Sequence, residues 1–535
     1  MQELPTTASE QRLQDNQLPQ RWRGKSQFTI AAPRFGTGVD FLTTWQAWQA
    51  DPQRCARLHF IAIEPHPLQP ATLRELLANY PELQPFAAEL IAHYPPLLDG
   101  FHRLTFAQGH LTLTLCFMAL PTALSELVAR VDVWYSPEHL IPALEPWYAL
   151  PAPSPVTHAN VIGGGIAGCQ IAHALAKRGW EVTLYERHTR LAMEASGNRA
   201  GVLTPKMTAE AGWGETFYRQ AFLFAVQQIR QLQAAGQAID WAQCGALQLA
   251  HEPREAARQQ ALRVRELPAD FIQILDQAEA SAVAGIPLPS GASYFPQAGW
   301  LNPASLCAAL VAHPNIEVRT LTDASVLPMD GVTIIASGRE ADRFAASQFL
   351  PFMPVLGQTS AATASAFSQQ LKTTLGHEGY LTPALAGQHI FGATFVRNRR
   401  EPRLDAAADT VNHQQLAQYL PAFAASLGTV QTSHAAIRMT TPDRYPVVGA
   451  LPDVAFFQQA YAELRHGRAN QPFPLAHYQP SVWIAAGFGS RGLTTSGLCA
   501  ELLAALLTGE PLPMQATLYR HLHPARFLIR QLKRG

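Results

Sequence analysis

The run Val161-Ile162-Gly163-Gly164-Gly165-Ile166-Ala167-Gly168 constrains the fold of this chain more than any other stretch. It reads G-x-G-x-x-G, with an apolar strand before it and a helical pattern over 169–178 after it. Each glycine has a physical task. Gly163 makes a tight turn, Gly165 lets backbone amides approach a pyrophosphate, and Gly168 lets the helix pack against the strand. A second strand over 181–185 ends at Glu186, 18 residues past Gly168, where a carboxylate can hold the hydroxyls of an adenosine ribose. Arg187 adds a cation at the same end, although Glu186 would repel a phosphorylated ribose. Strand, glycine turn, helix, strand and acid together predict a dinucleotide-binding βαβ unit.

Nearly 350 residues follow Glu186, many more than a compact nicotinamide-binding unit needs, and further glycine turns lie late among them. Trp483-Ile484-Ala485-Ala486-Gly487-Phe488-Gly489-Ser490-Arg491-Gly492-Leu493 is a strand running into a turn that opens a helix, a place where backbone amides can meet a flavin ring. Val332-Thr333-Ile334-Ile335-Ala336-Ser337-Gly338 has the same strand-to-small-residue character. FAD is therefore the expected cofactor. Gly164, Gly338, Gly489, Ser490, Gly492 and Leu493 are expected around it, with Gly163, Gly165 and Gly168.

A second landmark is Leu150-Pro151-Ala152-Pro153-Ser154-Pro155, whose alternating prolines favour an extended spacer. It divides the chain into 1–152 and 153–535. Ahead of it, strand-like runs over 58–63, 111–117 and 131–135 alternate with helical stretches over 70–80 and 122–128, which predicts an α/β sheet. Behind it come a long helix around 215–234, strands over 332–336, 389–393 and 482–486, and a helix over 498–507. The expected class is α/β throughout. A Rossmann-like first domain precedes a two-part second one, a Rossmann-type FAD subdomain with a mixed-sheet substrate subdomain.

Of the 535 residues 47% are hydrophobic, ample for buried cores, which excludes a disordered or fibrous chain. Forty basic residues balance forty acidic ones, so a globally basic nucleic-acid coat is excluded and a local basic patch is not. The six cysteines are scattered without zinc spacing or a disulfide framework and suit a reducing cytosol. No metal site is expected. With no apolar run of about 18 residues and no apolar signal core, the expectation is a cytoplasmic monomer without a membrane partner.

Several further stretches are long and specific. They are Ala195-Ser196-Gly197-Asn198-Arg199-Ala200-Gly201, Tyr294-Phe295-Pro296-Gln297-Ala298-Gly299-Trp300-Leu301, Gly357-Gln358, Gly379-Tyr380-Leu381-Thr382-Pro383, and Arg438 followed by Thr441-Pro442-Asp443-Arg444-Tyr445-Pro446-Val447-Val448-Gly449. With Gly489-Ser490-Arg491-Gly492-Leu493 they make residues 157–535 resemble the FAD-dependent amine and amino-acid oxidases, the superfamily of D-amino-acid and glycine oxidases. Within it the chain is most similar to the bifunctional tRNA 5-methylaminomethyl-2-thiouridine biosynthesis proteins. The resemblance implies backbone approach to FAD at Ser196, Asn198 and Arg199.

That family begins with an S-adenosylmethionine-dependent methyltransferase, and here the chain departs from it. The family's E-S-G-F-G-T-G-x-N-F-L reads Ala32-Pro33-Arg34-Phe35-Gly36-Thr37-Gly38-Val39-Asp40-Phe41-Leu42. Gly36 and Gly38 survive, Ala32 replaces the acid, and Arg34 brings a long cation to the turn. Glu64 still suits a ribose acid. Met118-Ala119 stand in place of a Gly-Asp, and Pro137 stands where the catalytic aspartate belongs. Residues 1–152 are expected to be an inactive methyltransferase-like remnant, and use of S-adenosylmethionine is doubtful.

The resemblance implies oxidative removal of the carboxymethyl group from a 5-carboxymethylaminomethyl uridine, thiolated or not, at the tRNA wobble position. The aminomethyl uridine and glyoxylate are the products. An oxidase of a free small amino acid, glycine or sarcosine, is the alternative. The leaving portion is an N-substituted glycine, and arginine is the natural clamp for its carboxylate because a guanidinium binds both oxygens at once. Arg438 is the first candidate and Arg491 the second, with Tyr380 expected to cap the carboxylate through its hydroxyl. His377 and Glu378 are assigned no base role, since hydride transfer from a neutral amine needs none. Two basic clusters are candidates for tRNA phosphates: Arg520, Arg526, Arg530, Lys533 and Arg534, and Arg397, Arg399, Arg400 and Arg403.

Overall fold

The computed structural model describes residues 5–137, 139–328, 330–466 and 472–534; Glu138, in the stretch that departs from the family, lies outside them. The chain divides into two compact units, Met1–Pro153 with Ala504–His521, and Ser154–Leu503 with Leu522–Gly535. The division near 153 coincides with the proline spacer. The placement of 504–521 with the first unit differs from a simple cut there.

The first unit is built on a sheet whose strands are almost wholly buried. Arg57–Ile63 and Leu111–Phe117 are buried along their whole length, as expected of central strands covered on both faces. The sheet order is Gly100–Phe106, Leu111–Phe117, Arg57–Ile63, Gln27–Ala32, Val133–Trp134. The first pair is antiparallel and the others parallel. Trp22, Phe41, Trp45, Phe60 and Phe106 fill its main core. Residues 504–521 complete the unit through polar contacts that sequence neighbours could not supply. Glu510 pairs with Arg57 at 2.9 Å, the Pro511 carbonyl accepts from Arg103 at 2.5 Å, and the Leu512 amide donates to the Val128 carbonyl.

In the second unit a six-stranded sheet runs Ile316–Arg319, Glu181–Tyr185, His158–Ile162, Val332–Ile335, Tyr478–Ala486, Val447–Pro452, parallel except for the last pair. Ile335 stands opposite Ile162 on one side and Ile484 on the other. The carboxyl ends of three neighbouring strands, and the glycine turns that follow them, therefore lie side by side. A nine-stranded mixed sheet follows, with the antiparallel pair Met353–Thr363 and Val430–Thr440 toward one end of it. A small sheet of Gly201–Leu203, Gly299–Leu301 and Trp241–Ala242 accompanies them.

Candidate functional site

Parallel strands leave ligands room only beyond their carboxyl ends, and a cavity of about 1080 Å³ opens there. Gly163 turns the chain at φ 113°, and a Cβ on it would lie 2.6 Å from the Ala336 carbonyl oxygen of the neighbouring turn. Gly168 packs closer still: its Cβ would stand 1.9 Å from the Gly163 oxygen. The helix Ile166–Ala176 thus starts directly at the turn, and Ser196 Oγ accepts its Ile166 amide at 3.0 Å. Gly163, Gly164, Gly165 and Ser196 all line the cavity. On the far side the Gly487–Gly489 turn opens the helix Gly492–Thr508, and Gly489, Ser490, Arg491, Gly492 and Leu493 line it too, as does Gly338. Two helix N-termini bring partial positive charge to one elongated space.

At one end stands Glu186, whose carboxylate accepts the Gly164 amide at 2.9 Å and the His188 amide at 2.8 Å. Arg187 is held there by ion pairs with Glu194 and Glu340, and Arg339 pairs with the same two acids. Burial pushes the Glu194 carboxyl up, but its bonds to His188 and Arg187 outweigh that and hold it below the usual range. Arg187 lines the cavity but has its charge matched by protein. Nothing in the sequence signals this ion-paired quartet, because Arg339 and Glu340 lie about 150 residues away from Arg187.

Arg438, Tyr380, His377 and Arg491 line the same cavity. Arg438 comes from the strand Val430–Thr440, opposite Val355, and its guanidinium lies flat over the α-carbon of Gly357. A Cβ on Gly357 would sit 2.7 Å from Arg438 Cζ and 2.7 and 2.8 Å from its two terminal nitrogens. No carboxylate meets this guanidinium among the described residues, and burial pushes its pKa down. In the sequence Gly357 stands out only as part of a motif; its task is to leave room for that side chain.

Two expectations are corrected. The Tyr380 hydroxyl donates to the Ala200 carbonyl at 3.0 Å and accepts from Asn198 at 2.7 Å, so it has no spare proton for a carboxylate. Arg199 turns to Gln388 at 2.5 Å and to Thr432 and is not part of the cavity wall. His377, for which the sequence suggests no base role, nevertheless lines the cavity. Its Nδ1 accepts the Gly379 amide at 3.0 Å, which puts the proton on Nε2, and that buried atom has no partner among the described residues. Burial pushes the imidazole down to about 4, so at neutral pH it presents an uncharged N–H.

The basic clusters separate on inspection. Arg526 and Arg530 both pair with Asp443 at 3.0 Å, Arg520 pairs with Glu145 at 2.8 Å, and Arg400 pairs with Asp342 at 2.6 Å. Arg403 lines the cavity. Four of the nine expected phosphate ligands therefore have their charge matched already.

These features fit FAD: an acid at a ribose position, glycine turns and helix N-termini along the middle, and an open cavity beyond. Residues 159–506 match the FAD dependent oxidoreductase family. Over 616 aligned positions the chain is 34% identical to the tRNA 5-methylaminomethyl-2-thiouridine biosynthesis bifunctional protein of Chromobacterium violaceum, covering 98% of this chain and 93% of that protein. Its namesake in Pseudomonas fluorescens is also 34% identical, over 98% of this chain and 94% of the relative. The chain belongs to both families. It is an FAD-dependent oxidoreductase acting on a CH–NH bond. The fold agrees with glycine oxidase from Geobacillus kaustophilus (22% identity, TM-score 0.53, 66% of this chain and 96% of that one). It agrees likewise with L-proline dehydrogenase from P. horikoshii (18%, TM-score 0.55, 70% and 98%). The alignment to the first relative is longer than the 535 residues of this chain, so that relative has segments with no counterpart here.

The first unit keeps one of the acids that the family places on its sheet, Glu64. Its sheet carries one strand, Val133–Trp134, beyond Gln27–Ala32 and no further one among the described residues. Glu64 is held as Glu186 is, accepting the Gly36 amide at 2.9 Å and the His66 amide at 3.1 Å. The other carboxylates expected of the fold are missing, with Ala32, Ala119 and Pro137 in their places. Arg34 is exposed rather than folded into the turn, where the Phe35 ring packs over Gly38 and stacks on Tyr94 at 6.3 Å. Asp40, close in sequence, is taken by Arg12 and Ser9. This donor set does not fit S-adenosylmethionine.

Proposed function

We propose that this protein removes the carboxymethyl group from 5-carboxymethylaminomethyl uridine, with or without 2-thiolation, at the wobble position of tRNA, releasing glyoxylate and leaving the aminomethyl uridine. In this reading it acts as a cytoplasmic monomer. FAD, when bound, supplies a two-electron acceptor for the C–H bond next to the substrate nitrogen. Gly163, Gly164, Gly165 and Ser196 hold its pyrophosphate, and Glu186 its ribose. Gly338, Gly489, Ser490, Gly492 and Leu493 surround the remainder.

The observation that carries the reading is Arg438: a half-buried guanidinium lining the cavity, with no acid to meet it among the described residues. A substrate carboxylate supplies that acid, and the planar fork fixes both its oxygens, which orients the adjoining carbon. Gly357 keeps the fork in place from behind. Asn198 and Ala200 hold the Tyr380 ring as a wall of the substrate end. His377, kept neutral by burial, offers an N–H without adding a second cation to compete with Arg438. Arg491, in the Gly-rich turn, lines the cavity and is anchored to the Thr204 carbonyl. Residues 1–152 are, in the same reading, a scaffold without methyl transfer.

Nucleoside mass spectrometry of tRNA bearing the carboxymethylaminomethyl group, incubated with the FAD-loaded protein with and without S-adenosylmethionine, tests this. The expected result is conversion to the aminomethyl nucleoside with one glyoxylate per uridine in both samples. Turnover of free glycine or sarcosine with none on tRNA would overturn it.

A further inference from the structure

Three cations, Lys206, Arg444 and Arg491, share one region, and Arg491 lines the cavity. Lys206 Nζ stands 5.6 Å from the centre of the Tyr218 ring, and the Tyr218 hydroxyl donates to the Arg444 carbonyl at 3.1 Å. Lys206 and Arg444 thus flank one aromatic side chain. Arg491 donates to the carbonyl of Thr204, two residues before Lys206, at 3.3 Å, and Arg491 and Thr204 both line the cavity. None of the three cations has an ion pair among the described residues. Of the acids nearby, Asp443 is matched by Arg526 and Arg530, Glu215 by Arg265 and Arg219, and Glu255 by Arg258, while Glu210 lies exposed four residues past Lys206. Burial first, then the charges of Arg491, Arg444 and Arg258, push the Lys206 ammonium below its ordinary value.

Gathering like charges without a counter-charge costs stability, and a ligand that brings negative charge relieves that cost. An exposed ring lies on the same stretch of chain. Trp213 is 40% exposed at the start of the helix Trp213–Ala234. It adjoins Gly214, whose α-carbon faces the hydroxyl of Tyr445, the residue after Arg444. Cations with an exposed ring among them make the surface on which single-stranded nucleic acid binds, phosphates on the charges and a base on the ring.

We infer that Lys206, Arg444 and Trp213 dock a single-stranded stretch of RNA and lead the nucleotide next to the target uridine to the cavity mouth. This inference rests on the tRNA reading above, and it replaces the ion-paired C-terminal arginines as the phosphate contact.

The test uses FAD-loaded full-length protein, a fluorescently labelled anticodon stem-loop oligoribonucleotide, the full modified tRNA and the free modified nucleoside. Lys206→Gln combined with Arg444→Asn removes two charges, and asparagine tolerates the φ of 65° at that position. The double variant is expected to bind the stem-loop about tenfold more weakly. Its log–log salt dependence is expected to be shallower by about 1.4, for two single-strand phosphates at about 0.7 each. Turnover of the free nucleoside stays unchanged. Trp213→Ala is expected to weaken stem-loop binding and to remove the quenching of tryptophan fluorescence that accompanies it. Unchanged stem-loop affinity and salt slope would overturn the docking surface while leaving the reaction standing. An equal loss with the free nucleoside would also overturn it, placing these residues in the reaction pocket. A wild-type protein that binds the stem-loop through these residues but converts no tRNA would instead overturn the reaction.

Discussion

Leaving a half-buried charge without a counter-ion costs stability, so Arg438 is stable in its place only because the cavity and Gly357 accommodate it and a ligand is there to meet it in use. Two substitutions test this from opposite sides. Arg438→Lys keeps a cation but loses the planar two-point grip; FAD stays bound and kcat/KM for the tRNA falls on the order of 10²-fold. Gly357→Ala leaves Arg438 in the sequence but puts a methyl group 2.7 Å from its Cζ, too close for the guanidinium to stay. A loss of about tenfold or more is expected, again with full FAD content, and the double variant should be little worse than Arg438→Lys alone because both remove one interaction. Steady-state rates together with flavin absorbance decide the matter. Wild-type rates in Arg438→Lys would move the clamp elsewhere, with Arg491 next to be tried. The sequence points to Arg438 because a carboxylate substrate calls for arginine and the stretch around Arg438 resembles the glycine-oxidase segment that carries the substrate-binding arginine. It cannot point to Gly357, whose role exists only once two strands distant in sequence are paired.

Elements with strong local chemistry are legible in the sequence itself. The strand–turn–helix–strand around Gly163 appears as His158–Ile162, Ile166–Ala176 and Glu181–Tyr185, because each glycine there is fixed by a contact within a few residues or by the next strand. The long helix, expected around 215–234, spans Trp213–Ala234, and 111–117 is a strand over that same range. What resists reading depends on long-range pairing. The eleven-residue strands Met353–Thr363 and Val430–Thr440 are mixed in polarity and find each other across some 80 residues. Residues 504–521 join the first unit through Glu510, Pro511 and Leu512, and nothing local marks them for it. The glycine turn gives an element-scale prediction. Gly168→Ala drives a methyl into the Gly163 oxygen at 1.9 Å, so the helix must leave the turn; FAD is lost, and the melting temperature of the apoprotein falls by about 5 °C or more. Gly165→Ala meets only Ser196 Oγ, at 3.3 Å. It should leave the apoprotein melting temperature within about 2 °C while weakening FAD. If both variants melt and bind FAD alike, the separate tasks assigned to the two glycines are wrong.

At the scale of the whole molecule, burial of neutral histidines sets the acid limit. Burial pushes His173 and His523 down to about 3 and His377 to about 4. The unfolded chain takes up these protons near the ordinary value of 6.5, whereas the folded chain does not until pH 3–4. Their contribution to stability is therefore complete above about pH 6.5 and is lost as the pH falls toward 4, by about 1.4 kcal/mol per pH unit for each histidine. Melting temperatures should drop steeply between pH 6.5 and 4.5, and a flat profile would show these sites to be more hydrated than their burial implies. The second molecule-scale prediction concerns the first unit, where a sheet and a glycine turn survive without the chemistry that the family places on them. A methyltransferase must hold the charged end and the adenosine of its cofactor and then bring a target amine to the methyl carbon. Here Glu64 remains for the ribose, but Ala32 and Ala119 offer no oxygen to the rest, and Pro137 can neither accept a proton nor orient an amine. Any one loss could be compensated by a neighbour. Three together leave no acid in the three positions named, and Asp40, the closest in sequence to the turn, is held by Arg12 and Ser9. Isothermal titration with S-adenosylmethionine should accordingly give no heat of binding, and aminomethyl-bearing tRNA incubated with the labelled cofactor should take up no label over many turnovers of the oxidase. Stoichiometric label on the wobble uridine would mean that the unit methylates through groups other than these, and that the scaffold reading fails.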